Sequence, residues 1–195
     1  MAIKKKKTMK KKTTAKKAPA KKSARMKKKV AAPNKAARKT TQSLARVGET
    51  VPDLTLEGTN GSIQLSTLKG KKVVLWFYPK DATPGCTLEG HEFSKLLEEF
   101  SGANAEVFGV SRDTLASHEQ FRSRENYTVH LLSDTGESAC QKFDVIKMKN
   151  MYGKQVRGIE RSTFVIDQDG KLIKEWRKVS VPGHASEVLQ FIKTI

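Results

Sequence analysis

Apolar side chains follow two rhythms along this chain. A continuous apolar run at residues 73–78, inside KKVVLWFYP, has the character of a central strand covered on both faces. AEVFGVS (105–111) predicts a second buried strand and VHLLSD (129–134) a third, with GSIQL (61–65) a short strand ahead of them. Between these runs the period lengthens. Phe93, Leu96, Leu97 and Phe100, at i, i+3, i+4 and i+7, mark one face of a helix. LASHEQFRSRE (115–125) reads as a second helical stretch and ESACQKFDV (137–145) as a short third. In the last, ASEVLQFIKTI (185–195), Val188, Leu189 and Ile192 share one side. STFVIDQDGKLIKEW (162–176) sets two strands around Asp169-Gly170, a hairpin signal. Strand–helix units followed by an antiparallel hairpin predict an α/β fold with a mainly parallel sheet and helices on both faces. No internal repeat is visible.

None of this patterning reaches the first 46 residues. The net charge of +18 belongs to them alone: they hold nineteen of the 38 basic residues and none of the acids, leaving nineteen basic residues against all twenty acids in 47–195. Like charges repel, and almost no large apolar side chains offset the entropy of ordering, so residues 1–46 are expected to be a disordered, Lys-rich tail. Residues 47–195 form one balanced domain of a size that buries a good core. No stretch approaches the roughly 20 apolar residues of a membrane span. The basic N-terminus lacks the apolar segment of a secretory signal, and its Lys, Ala, Thr and Pro differ from the Arg and Ser of transit peptides. Two cysteines in 195 residues do not make a disulfide framework. They suggest a reducing compartment, in which a cysteine is reactive or buried rather than bridged.

One of the two is placed where chemistry is easily built. If the helix after the first buried strand starts near Thr83, that residue is the N-cap, Pro84 the first helical residue, and Cys86 lies three residues in. First-turn N–H groups and the positive end of the helix dipole favour thiolate over thiol, which can lower an ordinary thiol pKa of about 8.5 by a unit or more. The expectation is a nucleophile held out toward solvent at a strand-to-helix turn. The alternative is an inert, buried cysteine; Gly85 and the polar Asp81, Thr83 and Thr87 argue against an apolar hole. Cys86 and His91 alone do not make a metal site, and no second pair stands at a zinc-like spacing.

YPKDATPGCTLEGHEF (78–93) resembles the active-site loop of peroxiredoxins, in which Pro is followed by three residues, Thr or Ser, two residues and Cys; Pro79, Thr83 and Cys86 match. The TPGCTLE form is similar to the bacterioferritin-comigratory-protein or peroxiredoxin Q subfamily. VPDLTLEG before the site, and GVSRD, RSTFVID and GHASEVLQFI after it, extend the likeness across the domain. The resemblance implies a thioredoxin-like fold with a central mixed sheet, no cofactor, and reduction of a peroxide by the Cys86 thiolate through a sulfenic acid. It implies that Thr83 and the Cys86 N–H donate to the peroxide and that Pro79 shields the site. It also implies that Arg161 holds the thiolate; only the family motif selects Arg161 over Arg157. Glu89 matches the subfamily pattern, and an exposed first-turn glutamate stabilising the helix accounts for it equally well.

Many subfamily members carry a second cysteine five residues after the first. His91 stands there, leaving Cys140 as the candidate resolving residue, although its place on an apolar helical face with Phe143 also suits burial. Otherwise the sulfenic acid is reduced from outside, by thioredoxin or another thiol donor. A monomer is expected.

The tail reads as a solubilising leader or as a nucleic-acid tether, with adhesion to another polyanion or a membrane surface behind the latter. Its KKAPAKKSA runs resemble lysine-alanine-proline tails of linker-histone-like proteins. The candidate contacts are Lys4, Lys5, Lys6, Lys7, Lys10, Lys11 and Lys12, then Lys16, Lys17, Lys21 and Lys22, then Lys27, Lys28 and Lys29. Without aromatic residues or a folded reading head, binding is expected to be non-specific. An intracellular site follows, with a bacterial cytoplasm or nucleoid favoured and a nucleus the alternative. The rival functions are a nucleic-acid-associated protein with a spent redox scaffold, and a thiol sensor that passes oxidation to a partner.

Overall fold

The computed structural model describes residues 44–195 apart from Tyr152. The Lys-rich segment, and the nucleic-acid contacts expected of its lysines, lie outside the described residues. Leu44 to Arg46, on the tail side of the boundary drawn from charge, enter the fold. Ala45 is buried, and its N–H donates to Lys142 O at 2.8 Å.

The centre is the continuous apolar run, observed as strand β3 (Lys72–Phe77), with every residue buried. It is flanked by β4 (Ala105–Ser111), in parallel, and β8 (Ser162–Ile166), antiparallel. Adding β1 (Thr55–Gly58), β2 (Ile63–Gln64), β5 (His130–Ser133) and β9 (Leu172–Arg177) gives a seven-stranded sheet in the order β2-β1-β5-β4-β3-β8-β9. Only β3/β4 and β4/β5 are parallel; β2/β1, β1/β5, β3/β8 and β8/β9 are antiparallel. The mainly parallel sheet expected from the strand–helix pattern is therefore corrected to the mixed one that the family resemblance implies. β1 is the reason on one side: its single alternation of Leu56 with polar neighbours gave no separate signal, yet it turns the sheet's far end antiparallel. The Asp169-Gly170 hairpin does the same on the other side, with Gly170 at φ 84° in its turn.

β3 carries side chains alternately to two cores. Val73, Leu75 and Phe77 join Phe143 and Phe164 on one face, beneath the short helix α3 (Ser138–Lys142) and the 3-10 turn Leu65–Leu68. Val74, Trp76 and Tyr78 join Phe93 and Phe100 of α1 (Pro84–Gly102), Phe121 of α2 (Leu115–Glu125), and Val188, Leu189 and Ile192 of α4 (His184–Lys193) on the other. Helices thus cover both faces, as the pattern implied. A separate hairpin, β6 (Ile146–Met151) and β7 (Lys154–Ile159), was not predicted. It is largely exposed, so its alternation carries little hydrophobic contrast. Among the described residues no helix is long and apolar enough to cross a membrane.

Candidate active site

β3 ends at Phe77, and the chain crosses residues 78–83 before α1 begins at Pro84. Thr83 occupies the N-cap position with extended backbone (φ −98°, ψ 147°), and its carbonyl accepts the first helical bond, from Thr87 N at 2.8 Å. Its hydroxyl does not cap the helix. It donates instead to Lys80 O at 3.1 Å, tying the loop to itself. Pro84 stands at the helix start, where a missing N–H costs nothing.

Cys86 is fully buried, which corrects the expectation of a sulfur held out to solvent. Cys86, Glu89, Gly90, Phe93 and Phe100 are all buried on α1, so the apolar stripe that starts at Phe93 extends back through the first turn. The polar sequence neighbours do not describe the sulfur's surroundings: Asp81 is itself buried in the loop before the helix, and Gly85 faces Arg161. The sulfur is nevertheless polar-partnered: Arg161 Nη2 donates to Cys86 Sγ at 3.2 Å. Arg161 lies just before β8, whose pairing with β3 brings Ser162 opposite Phe77 and so delivers the guanidinium to the head of α1. Arg157, its rival in sequence, reaches Glu137 at 2.5 Å on the surface and does not approach Cys86.

The other arm of Arg161, Nη1, donates to Glu89 Oε2 in an ion pair. Glu89 is 1 % exposed, so it is a partner of Arg161 rather than an exposed helix-stabilising glutamate. Burial pushes its carboxyl up to about 7, against the pull of Arg161, and the nearby Glu92 charge adds to the rise. Among the described residues its buried Oε1 has no hydrogen-bond partner. The Arg161 guanidinium is held up by the carboxylate and the sulfur despite burial. Lys149 of β6 anchors its Nζ on Ile159 O, two residues before Arg161; partial burial and the Arg161 charge hold its ammonium below the usual range.

The loop over the sulfur is pinned from behind by residues that the sequence pattern did not single out as functional. Tyr78 OH and Ser117 Oγ donate to Asp81 at 2.8 and 2.7 Å, and Asp81 N donates to Asp113 Oδ2 at 2.9 Å. His118, fully buried, completes the set. The one available signal was a histidine on an otherwise polar helix, at a position sharing a face with Phe121.

One turn on from Cys86 along α1, Gly90 lets the Tyr127 ring lie against the helix: a Cβ there would sit 2.5 Å from Tyr127 Cζ. Tyr127 OH donates to Thr87 O at 2.8 Å. His91, at the place of the second cysteine of many relatives, is half-exposed and 3.3 Å from Glu125. Pro79 is half-buried at the mouth of the loop. The structure does not bring Cys140 to Cys86. Cys140 is buried in the other core, across the sheet. Burial and the neighbouring Asp134 push its thiol well up, and its N–H donates to Asp134 at 2.7 Å. Among the described residues no three His, Cys, Asp or Glu side chains gather as metal ligands. The arrangement offers one sulfur in the first turn of a helix and an adjacent cation to hold negative charge on it.

Comparison with known proteins yields a consistent pattern. The model of the AhpC/TSA family matches residues 47–175. Peroxiredoxin Bcp of Xanthomonas campestris is 50% identical over 142 residues, 72% of this chain and 89% of that one. A solved structure of the bacterioferritin comigratory protein of that species, described for its alkyl peroxide reduction activity, has a TM-score of 0.69 at 48% identity, covering 72% of this chain and 90% of that one. A structure of Xanthomonas campestris peroxiredoxin Q has a TM-score of 0.71 at 46% identity, covering 79% of this chain and 98% of that one.

Proposed function

The chain belongs to the AhpC/TSA family, in its Bcp or peroxiredoxin Q branch, and from that premise we propose that Cys86 is the peroxide-reducing sulfur of this thiol peroxidase. The observation that carries the assignment is the Arg161 Nη2 to Cys86 Sγ contact at 3.2 Å, made at the first turn of a helix. A guanidinium donor and first-turn amide dipoles both favour negative charge on that sulfur.

The thiolate attacks the distal oxygen of a hydroperoxide. The S–O bond forms as the O–O bond breaks, and the leaving oxygen takes one proton and departs as an alcohol, or as water from hydrogen peroxide. Sulfur is oxidised to sulfenic acid and the peroxide is reduced. Alkyl hydroperoxides are included in the substrate class by the activity described for the Xanthomonas protein. Arg161 and the Cys86 N–H stabilise charge on the reacting oxygens, Thr83 Oγ1 turns from Lys80 O to the peroxide, and Pro79 keeps water out. Two equivalents of an external thiol, from thioredoxin or another donor, then return the sulfenic acid to thiol with release of water and a disulfide. This one-cysteine cycle is favoured by the separation of Cys86 and Cys140 across the sheet. The protein works as a monomer in a bacterial cytoplasm, and its Lys-rich tail tethers it non-specifically to nucleic acid, where the peroxidase intercepts peroxide locally.

Mass spectrometry after one equivalent of peroxide, with a sulfenic-acid trap, is expected to find one adduct on Cys86 and none in Cys86→Ser. A Cys86–Cys140 bridge as the main product sinks the one-cysteine cycle. No oxidation at Cys86 sinks the assignment itself. For the tail, removing residues 1–39 takes away eighteen of the nineteen basic charges but spares the buried Ala45. With about ten charges engaged on duplex DNA, log affinity is expected to fall by roughly 9 per unit of log salt for the full chain. Equal retention of both forms on DNA at low salt ends the tether.

A further inference from the structure

We infer that His118 is held as an imidazolium whose buried ion pair with Asp81 is the positioning element of the Tyr78–Thr83 loop, and hence of Thr83 and the head of α1. The argument starts from the ring's neighbours. His118 Nδ1 lies 3.0 and 3.1 Å from the two Asp81 carboxylate oxygens, and Nε2 lies 3.2 Å from Leu132 O. A carboxylate and a backbone carbonyl accept hydrogen bonds and cannot donate them. The third neighbour, Tyr78 OH at 3.3 Å, gives its only proton to Asp81 Oδ1 at 2.8 Å and so faces Nδ1 as an acceptor too. A neutral imidazole would leave one bare nitrogen aimed at an acceptor inside a fully buried site; two N–H groups satisfy all of them.

The groups packed around the ring suit a cation. From the loop after β3 come Tyr78 and Asp81, from the segment after β4 Asp113, and from α2 Ser117. Burial and the Asp81 charge hold the Tyr78 phenol high, so it stays a donor to the carboxylate. Asp81 itself lies below its ordinary value although burial opposes this, because His118, Ser117 and Tyr78 all donate to it.

The pair acts on the loop because Asp81 is fixed at both ends. Its side chain is held by His118, Ser117 and Tyr78, and its N–H by Asp113 Oδ2, which also takes Ser111 Oγ at 2.7 Å. The next residue, Ala82, adopts φ 58°, a left-handed conformation that costs an alanine energy and persists only where its surroundings impose it. Thr83 follows, then the first turn that carries Cys86. Release of Asp81 frees Ala82 to relax, and displacement of reacting groups by about 1 Å can cost about a hundredfold in rate. His118 touches no reacting atom; it acts through Asp81.

Two measurements test this on the full chain. Nitrogen-resolved NMR of the histidine rings at pH 8, above the ordinary histidine value of about 6.5, is expected to show protons on both His118 nitrogens. A ring with one bare nitrogen overturns the proposal, whatever the variants do. Asp81→Asn and His118→Gln, checked for folding by circular dichroism, are each expected to slow Cys86 oxidation by peroxide about ten- to a hundredfold, and the double variant no more than the worse single one. Losses that multiply, or none, overturn it. If the variants do not fold, the NMR result on the unaltered chain decides. The rate arm rests on Cys86 being the peroxide-reactive sulfur: an unreactive Cys86 in the unaltered chain defeats that reading while leaving the doubly protonated ring to stand or fall alone.

Discussion

Glu89 gives the sharpest quantitative handle on the site. In an unfolded chain its carboxyl ionises near 4.5; in the fold it does so at about 7, because burial outweighs the attraction of Arg161. Between those values the folded protein keeps a proton that the unfolded chain has lost. Stability is therefore greatest below pH 4.5 as far as this group is concerned, falls as pH rises, and has lost the full contribution above about 7. At about 1.36 kcal/mol per pH unit, the separation amounts to about 3 kcal/mol. Glu89→Gln keeps the shape and leaves a carbonyl oxygen for Arg161, but cannot ionise. The assay is urea unfolding of both proteins from pH 4.5 to 8.5, comparing the difference in unfolding free energy, since the other titrating groups cancel between them. The unaltered protein is expected to lose about 3 kcal/mol relative to the variant across that range, most steeply between pH 5 and 7. A difference constant to within about 0.5 kcal/mol would mean that Glu89 ionises as freely in the fold as outside it, and would refute the claim that burial dominates its environment.

Three further outcomes follow from the same geometry. Arg161→Met keeps an unbranched stem but removes the guanidinium and with it the donor to Cys86 Sγ, and peroxide oxidation of Cys86 is expected to slow by about 10²- to 10³-fold in competition kinetics; a change under threefold would detach Arg161 from the chemistry. Cys140→Ala is expected to leave that rate unchanged and to cost about 1 kcal/mol of stability from the small cavity beneath α3, measured by chemical unfolding. Gly90→Ala drives a methyl group to 2.5 Å from Tyr127 Cζ, with about 1–3 kcal/mol of destabilisation expected in the same assay; an unaltered midpoint would show that Tyr127 is free to move away.

What could be read in the sequence, and what could not, divides along physical lines. The β3 run, the Phe93–Phe100 helix face and the Asp169-Gly170 hairpin were legible because each is a local pattern with one solution: a strand buried on both faces, a period near 3.6, a turn that requires positive φ. The β6–β7 hairpin was not, since an exposed hairpin need not separate apolar from polar residues strongly. The position of Cys86 at a helix start was legible from Thr83 and Pro84, but its burial was not. Residues next to it in sequence point around the helix, and what covers it arrives from residue 161.

The same limit explains why Glu89 was misjudged and the burial of Asp81 not foreseen. Glu89 and Asp81 are charged residues beside a reactive centre, and in a linear reading such residues default to solvent. Each is instead buried against a cation supplied from far along the chain, Arg161 for one and His118 for the other. Removing either cation alone would strand a buried carboxylate, at a cost of several kcal/mol unless it takes up a proton. Glu89, already ionising near 7, can take one readily; Asp81, held low by three donors, cannot. The two pairs should therefore respond differently to loss of the cation: Arg161→Met should fold and react slowly, whereas His118→Gln should be the less stable of the two at neutral pH. Thermal melts at pH 7 decide it, and a His118→Gln protein as stable as Arg161→Met would mean that Asp81 is not the tightly held anion its hydrogen bonds describe.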